Sequence, residues 1–266
     1  MPSAGGACHQ CMHLWNLDHL WTLPEIWCSC DLSVSLSRSK LLKVRILLFD
    51  IDGTLIASGG AGRDAIADVF TDEFGLSGLD GIAIDGRTDT GIFEEALALA
   101  GVDPTADVVE RVMSAYLSRL PEALSSHDGH VLEGVVELLD ALENTEAIVG
   151  LATGNIVRGA ELKLRYYGIW ERFVAGGFGD VSADRTEVVV AGIEELARVG
   201  GSELAAADPI VIGDTPRDVT AGHAAGARVL GVATGNYDEN ILRESGADYV
   251  LPDLRNTEAA LGFLLG

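Results

Sequence analysis

Asp50 and Asp52 stand two residues apart, directly after the apolar run Leu47-Leu48-Phe49, and Gly53-Thr54 follow them. In extended chain, residues i and i+2 face one side, and a glycine turn lets backbone groups approach a small anion. A lone Asp-x-Asp also suits a solvated turn or a helix cap, but the apolar run before it and the Gly-Thr after it favour a site. A second acidic pair, Asp214 and Asp218, lies in Ile210-Val211-Ile212-Gly213-Asp214-Thr215-Pro216-Arg217-Asp218, again after an apolar run. Carboxylates suit a hard divalent cation, and magnesium takes one or two of them while keeping several waters. Either aspartate could equally cap the helix that Pro216 would start, and both roles are compatible. A third run, Leu151-Ala152-Thr153-Gly154-Asn155, offers a hydroxyl at a turn. Ala233-Thr234-Gly235-Asn236 repeats its last three residues, so the tripeptide alone means little.

These groups need elements to hold them. From Val44 onward, short apolar runs alternate with helical periods, the pattern of an α/β fold with a doubly wound parallel sheet. Strands are expected at 45–50, 147–153, 173–176, 209–214, 228–233 and 248–251. Helices are expected at 132–144, 158–167, 186–199, 217–225 and 239–245. In such a sheet ligands bind at the carboxyl ends of the strands, where Asp50, Thr153, Asp214 and the 234–236 run would fall. The interval 57–130 breaks the alternation, with helical periods at 64–74, 91–100 and 106–124. It reads as a helical cap inserted between core segments 44–56 and 131–266, with Ser58-Gly59-Gly60-Ala61-Gly62 as a hinge. That glycine run lacks the Gly-Lys-Ser/Thr ending of a P-loop.

Residues 1–43 differ from the rest. They hold all four cysteines (Cys8, Cys11, Cys28, Cys30) and three of the four tryptophans. A disordered leader is expected there; a zinc module is the alternative, though Cys28-Ser29-Cys30 leaves only one residue between ligands.

The 266 residues can bury a sizeable core, and 48% are hydrophobic. No apolar run reaches the roughly 18 to 20 residues that cross a bilayer, and no secretory signal is evident, so a cytoplasmic location is expected. The net charge of -23 arises after residue 43, since the first 43 residues carry equal numbers of acidic and basic groups. Such a surface disfavours nucleic acid and anionic lipid as partners. It would also repel a phosphorylated substrate, so a phosphate site here needs a cation, arginines and backbone amides to make it locally positive.

The ordered runs at Asp50-Ile51-Asp52-Gly53-Thr54, Thr153-Gly154-Asn155 and Gly213-Asp214 to Asp218 resemble the haloacid dehalogenase-like superfamily, over about 44–266. The resemblance implies a Rossmann-like core and a magnesium-dependent phosphatase of a small phosphorylated metabolite. Asp50 would be the nucleophile that forms an aspartyl-phosphate, and Asp52 the general acid and base. Thr153 and its neighbouring backbone amide would hold a phosphoryl oxygen, with Thr54, Gly154 and Asn155 also at the substrate. Asp50, Asp214, the backbone carbonyl of Asp52 and, through a ligand or bound water, Asp218 would make the Mg2+ site.

One motif departs from the family. Many relatives place a lysine before a proline after the third strand, and here the stretch reads Ser182-Ala183-Asp184-Arg185-Thr186-Glu187. Arg185 is the expected replacement, which keeps the charge but changes the geometry. Lys163, the only lysine after residue 43, is expected to be solvated. Gly86-Arg87-Thr88-Asp89 is similar to a cap segment of phosphoglycolate phosphatase-like members, so Arg87 would reach a substrate anion, unless the run is a helix-capping turn. Arg63 and Arg217 are weaker substrate contacts, and His127 and His130 are expected at the surface. Asp52 and the acidic loop argue against a dehalogenase, and the lysine-free insertion argues against a phosphonate hydrolase. A phosphomutase of the same family and, from another class, a non-catalytic phosphate-ligand binding protein stay open.

Overall fold

The computed structural model describes residues 44–201 and 207–266; the leader and zinc readings of 1–43 lie outside them. In chain order the elements are β1 (Val44–Phe49), β2 (Ile56–Ala57), α1 (Ala61–Phe74), α2 (Asp89–Leu99), α3 (Ala106–Ser126), β3 (His130–Val131), α4 (Val135–Leu142), β4 (Ile148–Ala152) and α5 (Val157–Tyr166). A 3-10 turn (Trp170–Arg172) precedes β5 (Gly176–Gly177), α6 (Arg185–Val199), β6 (Ala207–Gly213), α7 (Pro216–Ala224), β7 (Arg228–Val232), α8 (Glu239–Glu244), β8 (Tyr249–Leu251) and α9 (Thr257–Leu265).

Six strands form one parallel sheet in the order β5-β4-β1-β6-β7-β8. Side chains alternate across β1. Leu47 and Phe49 pack with Val135 and Leu138 of α4, Leu164 of α5 and Leu264 of α9 on one face. Ile46 and Leu48 pack with Val189 and Ile193 of α6 and Val219 of α7 on the other. A strand buried on both faces needs the unbroken apolar run that β1 shows. Each such side chain fully removed from water contributes about 1.5–3 kcal/mol before entropy is counted.

Helices α1, α2 and α3 build a separate apolar cluster around Phe70, Phe93, Leu97, Tyr116 and Leu120, which Ile156 at the start of α5 joins. The segment carrying these helices is closed at its base by a short antiparallel pair, β2 with β3, in which Ile56 faces Val131 and Ala57 faces His130. The sequence reading did not anticipate this pair, because two residues are too few to show a period of two. It also missed α9, whose apolar composition carries little helical periodicity. The strand expected at 173–176 pairs formally only at Gly176–Gly177, although Val174 already donates to the Val149 carbonyl at 3.2 Å. No helix among the described residues is long and apolar enough to cross a membrane.

Candidate active site

β4 and β6 flank β1 and run parallel to it, so the carboxyl ends of these three strands lie side by side where the strand order reverses. Phe49 pairs with both Leu151 and Ile212, and the Asp50 amide continues the ladder to the Ile212 carbonyl at 2.9 Å. Asp50, Thr153 and Asp214 therefore leave adjacent strands at one edge, the place where open α/β sheets bind ligands.

Arg185 is the first residue of α6, whose N-cap is Asp184, and its guanidinium is buried. Nη2 donates to Asp50 Oδ1 at 2.8 Å, to Asp218 Oδ1 at 2.6 Å and to the Ala152 carbonyl at 2.9 Å. Asp50 Oδ2 is left without a donor among the described residues. Asp218 is fully buried and serves two partners: its Oδ2 accepts from the Thr215 amide (3.1 Å) and hydroxyl (2.7 Å) in a capping box that starts α7, while Oδ1 takes Arg185. Asp218 thus takes part in capping α7 with one oxygen while the other accepts from the arginine beside Asp50.

One oxygen from each of Asp50, Asp214 and Asp218 lies within 4.8 Å of the others. Burial first, and then the charges of Asp218 and Asp50, push the Asp214 carboxyl up to about 9. Burial raises Asp50 to about 6, against the pull of Arg185. Carboxylates this crowded and this dry repel one another, and an oxygen-loving divalent cation is the partner that relieves them. The residues fit such an ion. Two glycines make room for Asp214: a Cβ on Gly53, whose φ is 84°, or on Gly235 would overlap its carboxylate. Thr54 is fully buried, donates to Asp214 Oδ1 at 3.3 Å and does not line the cavity described below.

Asp52 turns the other way. Its Oδ2 accepts from Lys163 Nζ at 2.6 Å and Asn155 Nδ2 at 2.8 Å, and its Oδ1 from the Ser58 hydroxyl at 3.1 Å. Burial would raise this carboxyl, but the Lys163 ammonium and the hydrogen bonds win and hold it below the usual range. The expectation for Lys163 is corrected here: it is 4% exposed, not solvated. It sits on α5 in the stripe Gly159, Ala160, Lys163, Leu164, all buried, and that i, i+3, i+4 spacing was the available signal. A lone lysine on the inward stripe of a helix needs a carboxylate partner, and Asp52 supplies it.

These groups open on a cavity of about 670 Å³, within the ~300–1,000 Å³ typical of small-molecule sites. Of the residues singled out from sequence, Asp50, Asp52, Gly154, Asn155, Arg87, Arg63, Arg185 and Asp214 line it, and Thr54, Thr153, Asp218 and Arg217 do not. Thr153 is buried just behind, its hydroxyl accepting from Asn155 Nδ2 at 2.9 Å. Arg87 points its guanidinium at Glu95 and at the Gly91 carbonyl (3.0 Å), while Thr88 caps α2 by accepting from the Gly91 amide at 3.1 Å. The helix-capping reading of that run is met at Thr88, while Arg87 lines the cavity with its guanidinium paired to Glu95. His127 pairs with Asp64 at 2.9 Å, and His130 is exposed; neither lines the cavity.

Segments from the helical insertion meet the sheet edge directly. The Asp89 amide donates to the Gly154 carbonyl at 2.7 Å, and Asp89 Oδ2 accepts from the Ile156 amide at 2.9 Å at the start of α5. Burial raises Asp89 to about 6 although Lys163 opposes it. Gly154 has no space for a side chain, because a Cβ would overlap the Arg87 carbonyl. The repeated Thr-Gly-Asn run is at the site as well: Thr234 donates to the Gly53 carbonyl at 2.5 Å, and Asn236 to Asp85 at 3.0 Å.

The model of one protein family, the haloacid dehalogenase-like hydrolases, matches residues 47–232, well over half of the chain. The chain belongs to that family. Among curated proteins, this hydrolase is similar to an N-acetylmuramic acid 6-phosphate phosphatase of Pseudomonas putida, 28% identical over 79% of this chain and 92% of that protein. It is also similar to a phosphoglycolate phosphatase of Xanthomonas campestris pv. campestris, 29% identical over 73% and 87%. Among solved structures, a hydrolase from Pseudomonas syringae superposes with a TM-score of 0.63 at 21% identity, over 84% of this chain and all of that one. A predicted phosphoglycolate phosphatase from Haemophilus somnus gives 0.60 at 20% identity, over 82% and 98%. At such identities the structural likeness speaks for the fold, and the family's α/β sheet is the one present here.

Proposed function

We propose that this hydrolase is a magnesium-dependent phosphatase that cleaves a small phosphorylated metabolite through an aspartyl-phosphate on Asp50. The observation that carries the reading is the division at the sheet edge: Asp50 keeps Oδ2 free beside a buried arginine and two further carboxylates, while Asp52 is held separately, facing the cavity. The names of the two curated relatives above, both phosphatases of small phosphate esters, support it.

Asp50 Oδ2 attacks phosphorus as the bond from phosphorus to the leaving oxygen breaks, and Asp52, ionised in the free site, passes to that oxygen the proton that the ester brings as its monoanion. A water then attacks phosphorus, Asp52 takes the proton of that water, and the bond from phosphorus to Asp50 breaks to release inorganic phosphate. Arg185 shares charge with the transferring group, and Gly154 and Asn155, with Thr153 behind them, orient its oxygens. Magnesium held by Asp50, Asp214 and the carbonyl of Asp52, with Asp218 orienting, would supply Lewis-acid neutralisation of the phosphoryl charge. Thr54 serves the substrate indirectly, through Asp214. The insertion of residues 57–130 acts as a cap that selects the ester, with Ser58-Gly59-Gly60 as its hinge.

Hydrolysis of an aryl phosphate and of a panel of metabolite esters, with magnesium and with chelator, beside Asp50→Asn, tests the proposal. Activity lost under chelation and in the variant is expected; activity indifferent to both would refute the mechanism. Transfer of phosphate between sugar positions without net release would replace phosphatase by phosphomutase.

A further inference from the structure

Tyr116 is the largest fully buried side chain of the described residues, and its hydroxyl has no hydrogen-bond partner among them. Its ring is fixed edge-on against Phe93, with centroids 5.8 Å apart, and it lines the cavity. Two glycines bring the backbones of α1 and α5 close to the hydroxyl. A Cβ on Gly62 of α1 would project 2.9 Å from Lys163 Nζ and 3.8 Å from Tyr116 Oη, and a Cβ on Gly159 of α5 would come 3.4 Å from the same oxygen. Lys163 offers three N–H groups, and Asp52 is the acceptor it has among the described residues. A buried hydroxyl without a partner is costly unless a ligand supplies one; Tyr116 belongs to the apolar cluster of α1 to α3 and also lines the cavity together with Lys163.

Burial, with Asp89 and Asp52 nearby, keeps the Tyr116 phenol protonated, so it can both donate and accept. The ammonium beside it is already paired with Asp52, and Asp89 is within electrostatic reach of both. A carboxylate placed there would face two acidic groups. A hydroxyl would not, because it can accept from Lys163 or Tyr116 and donate in return. The spot adjoins Asp52, the group that protonates the leaving oxygen in the reading above.

We propose that Tyr116 and Lys163, beside Gly62 on the cavity wall, form a leaving-group subsite for a hydroxyl-bearing carbon chain or sugar. The preferred esters are then those of polyhydroxy alcohols, not of small hydroxy acids. This rests on the phosphatase reading and deepens it.

The test is kinetic. Wild-type protein with magnesium is assayed on glycerol 1-phosphate against propyl phosphate, which differ only in hydroxyls, and on a hexose 6-phosphate against phosphoglycolate. The wild type is expected to prefer the first member of each pair. Tyr116→Phe is expected to lower the glycerol-to-propyl ratio of kcat/KM about 10-fold, as for one neutral hydrogen bond, mainly through KM. Its melting temperature should match or exceed that of the wild type, since the hydroxyl it loses has no protein partner. Gly62→Ala, which favours helix but crowds Lys163 Nζ, is expected to lower the same ratio. An unchanged ratio in both variants, as when a bound water alone serves Tyr116, or a wild-type preference for phosphoglycolate over the hydroxylated esters, would overturn the subsite while leaving the phosphatase reading intact. Absence of any ester hydrolysis by wild type would overturn both.

Discussion

Asp50 and Asp52 are separated by one residue, yet they sit in opposite electrostatic surroundings. Around Asp50 are two more buried carboxylates and one arginine, and its carboxyl rises to about 6. Around Asp52 are an ammonium, an amide and a hydroxyl, and its carboxyl falls below the usual range. The first environment is short of positive charge and asks for a cation; the second is already neutralised by Lys163. Two identical side chains thus sit in two environments because of what the neighbouring elements bring: α6 and α7 to the first, α5 to the second.

The largest break in this comparison is expected from Asp50→Asn, which removes the attacking oxygen and one member of the acidic triad. Turnover should fall by at least about 10³-fold in steady-state assays, with substrate affinity much less changed. Asp214→Asn is expected to cost about 10²-fold in turnover at fixed magnesium. In chelator at pH 8 the same variant should melt above the wild type, because it relieves the repulsion that pushes Asp214 up to about 9. On the other side, Lys163→Met should lower turnover of alkyl esters about 10-fold and of aryl esters less, since a good leaving group needs its proton less. Equal losses on both ester types would mean that Lys163 supports the fold and not the orientation of Asp52.

The smallest effect is a pH dependence of stability. Asp50 and Asp214 have raised carboxyls in the folded chain, about 6 and about 9, so between pH 4 and those values the folded state binds more protons than the unfolded one. Stability in chelator should therefore be greatest at low pH within this window and decline as pH rises from about 5 to 8, by a few degrees in melting temperature. Magnesium should raise the melting temperature more at pH 8 than at pH 5. A magnesium shift independent of pH would remove the link between the ion and these carboxylates.

Much of the Asp50 side was legible in the sequence, because each of its residues directly follows an apolar run or opens a helix. Asp50, Asp214 and Arg185 are placed by strand ends and a helix start, and such positions can be read from local pattern. The Asp52 side was less legible. Lys163, Tyr116 and Asp89 belong to three different helices, and only packing brings them together; each has the spacing of an ordinary core position. Lys163 did carry a signal, a charge on the buried stripe of α5, but a short stripe with a long flexible side chain reads equally well as solvated. The second Thr-Gly-Asn run shows the converse. As a tripeptide it says little, but its strand end already points to the sheet edge, and the fold brings it beside Gly53, where Gly235 leaves room for Asp214.

The central claim is that Asp50 Oδ2 bonds to phosphorus. Rapid acid quench during turnover with magnesium, followed by peptide mass spectrometry, tests it most directly. A single phosphoryl group on the peptide bearing Asp50, absent from Asp50→Asn and released by hydroxylamine, is the predicted result. Full turnover with no phosphoryl group on that peptide at any quench time, under conditions that preserve an acyl phosphate, would contradict it.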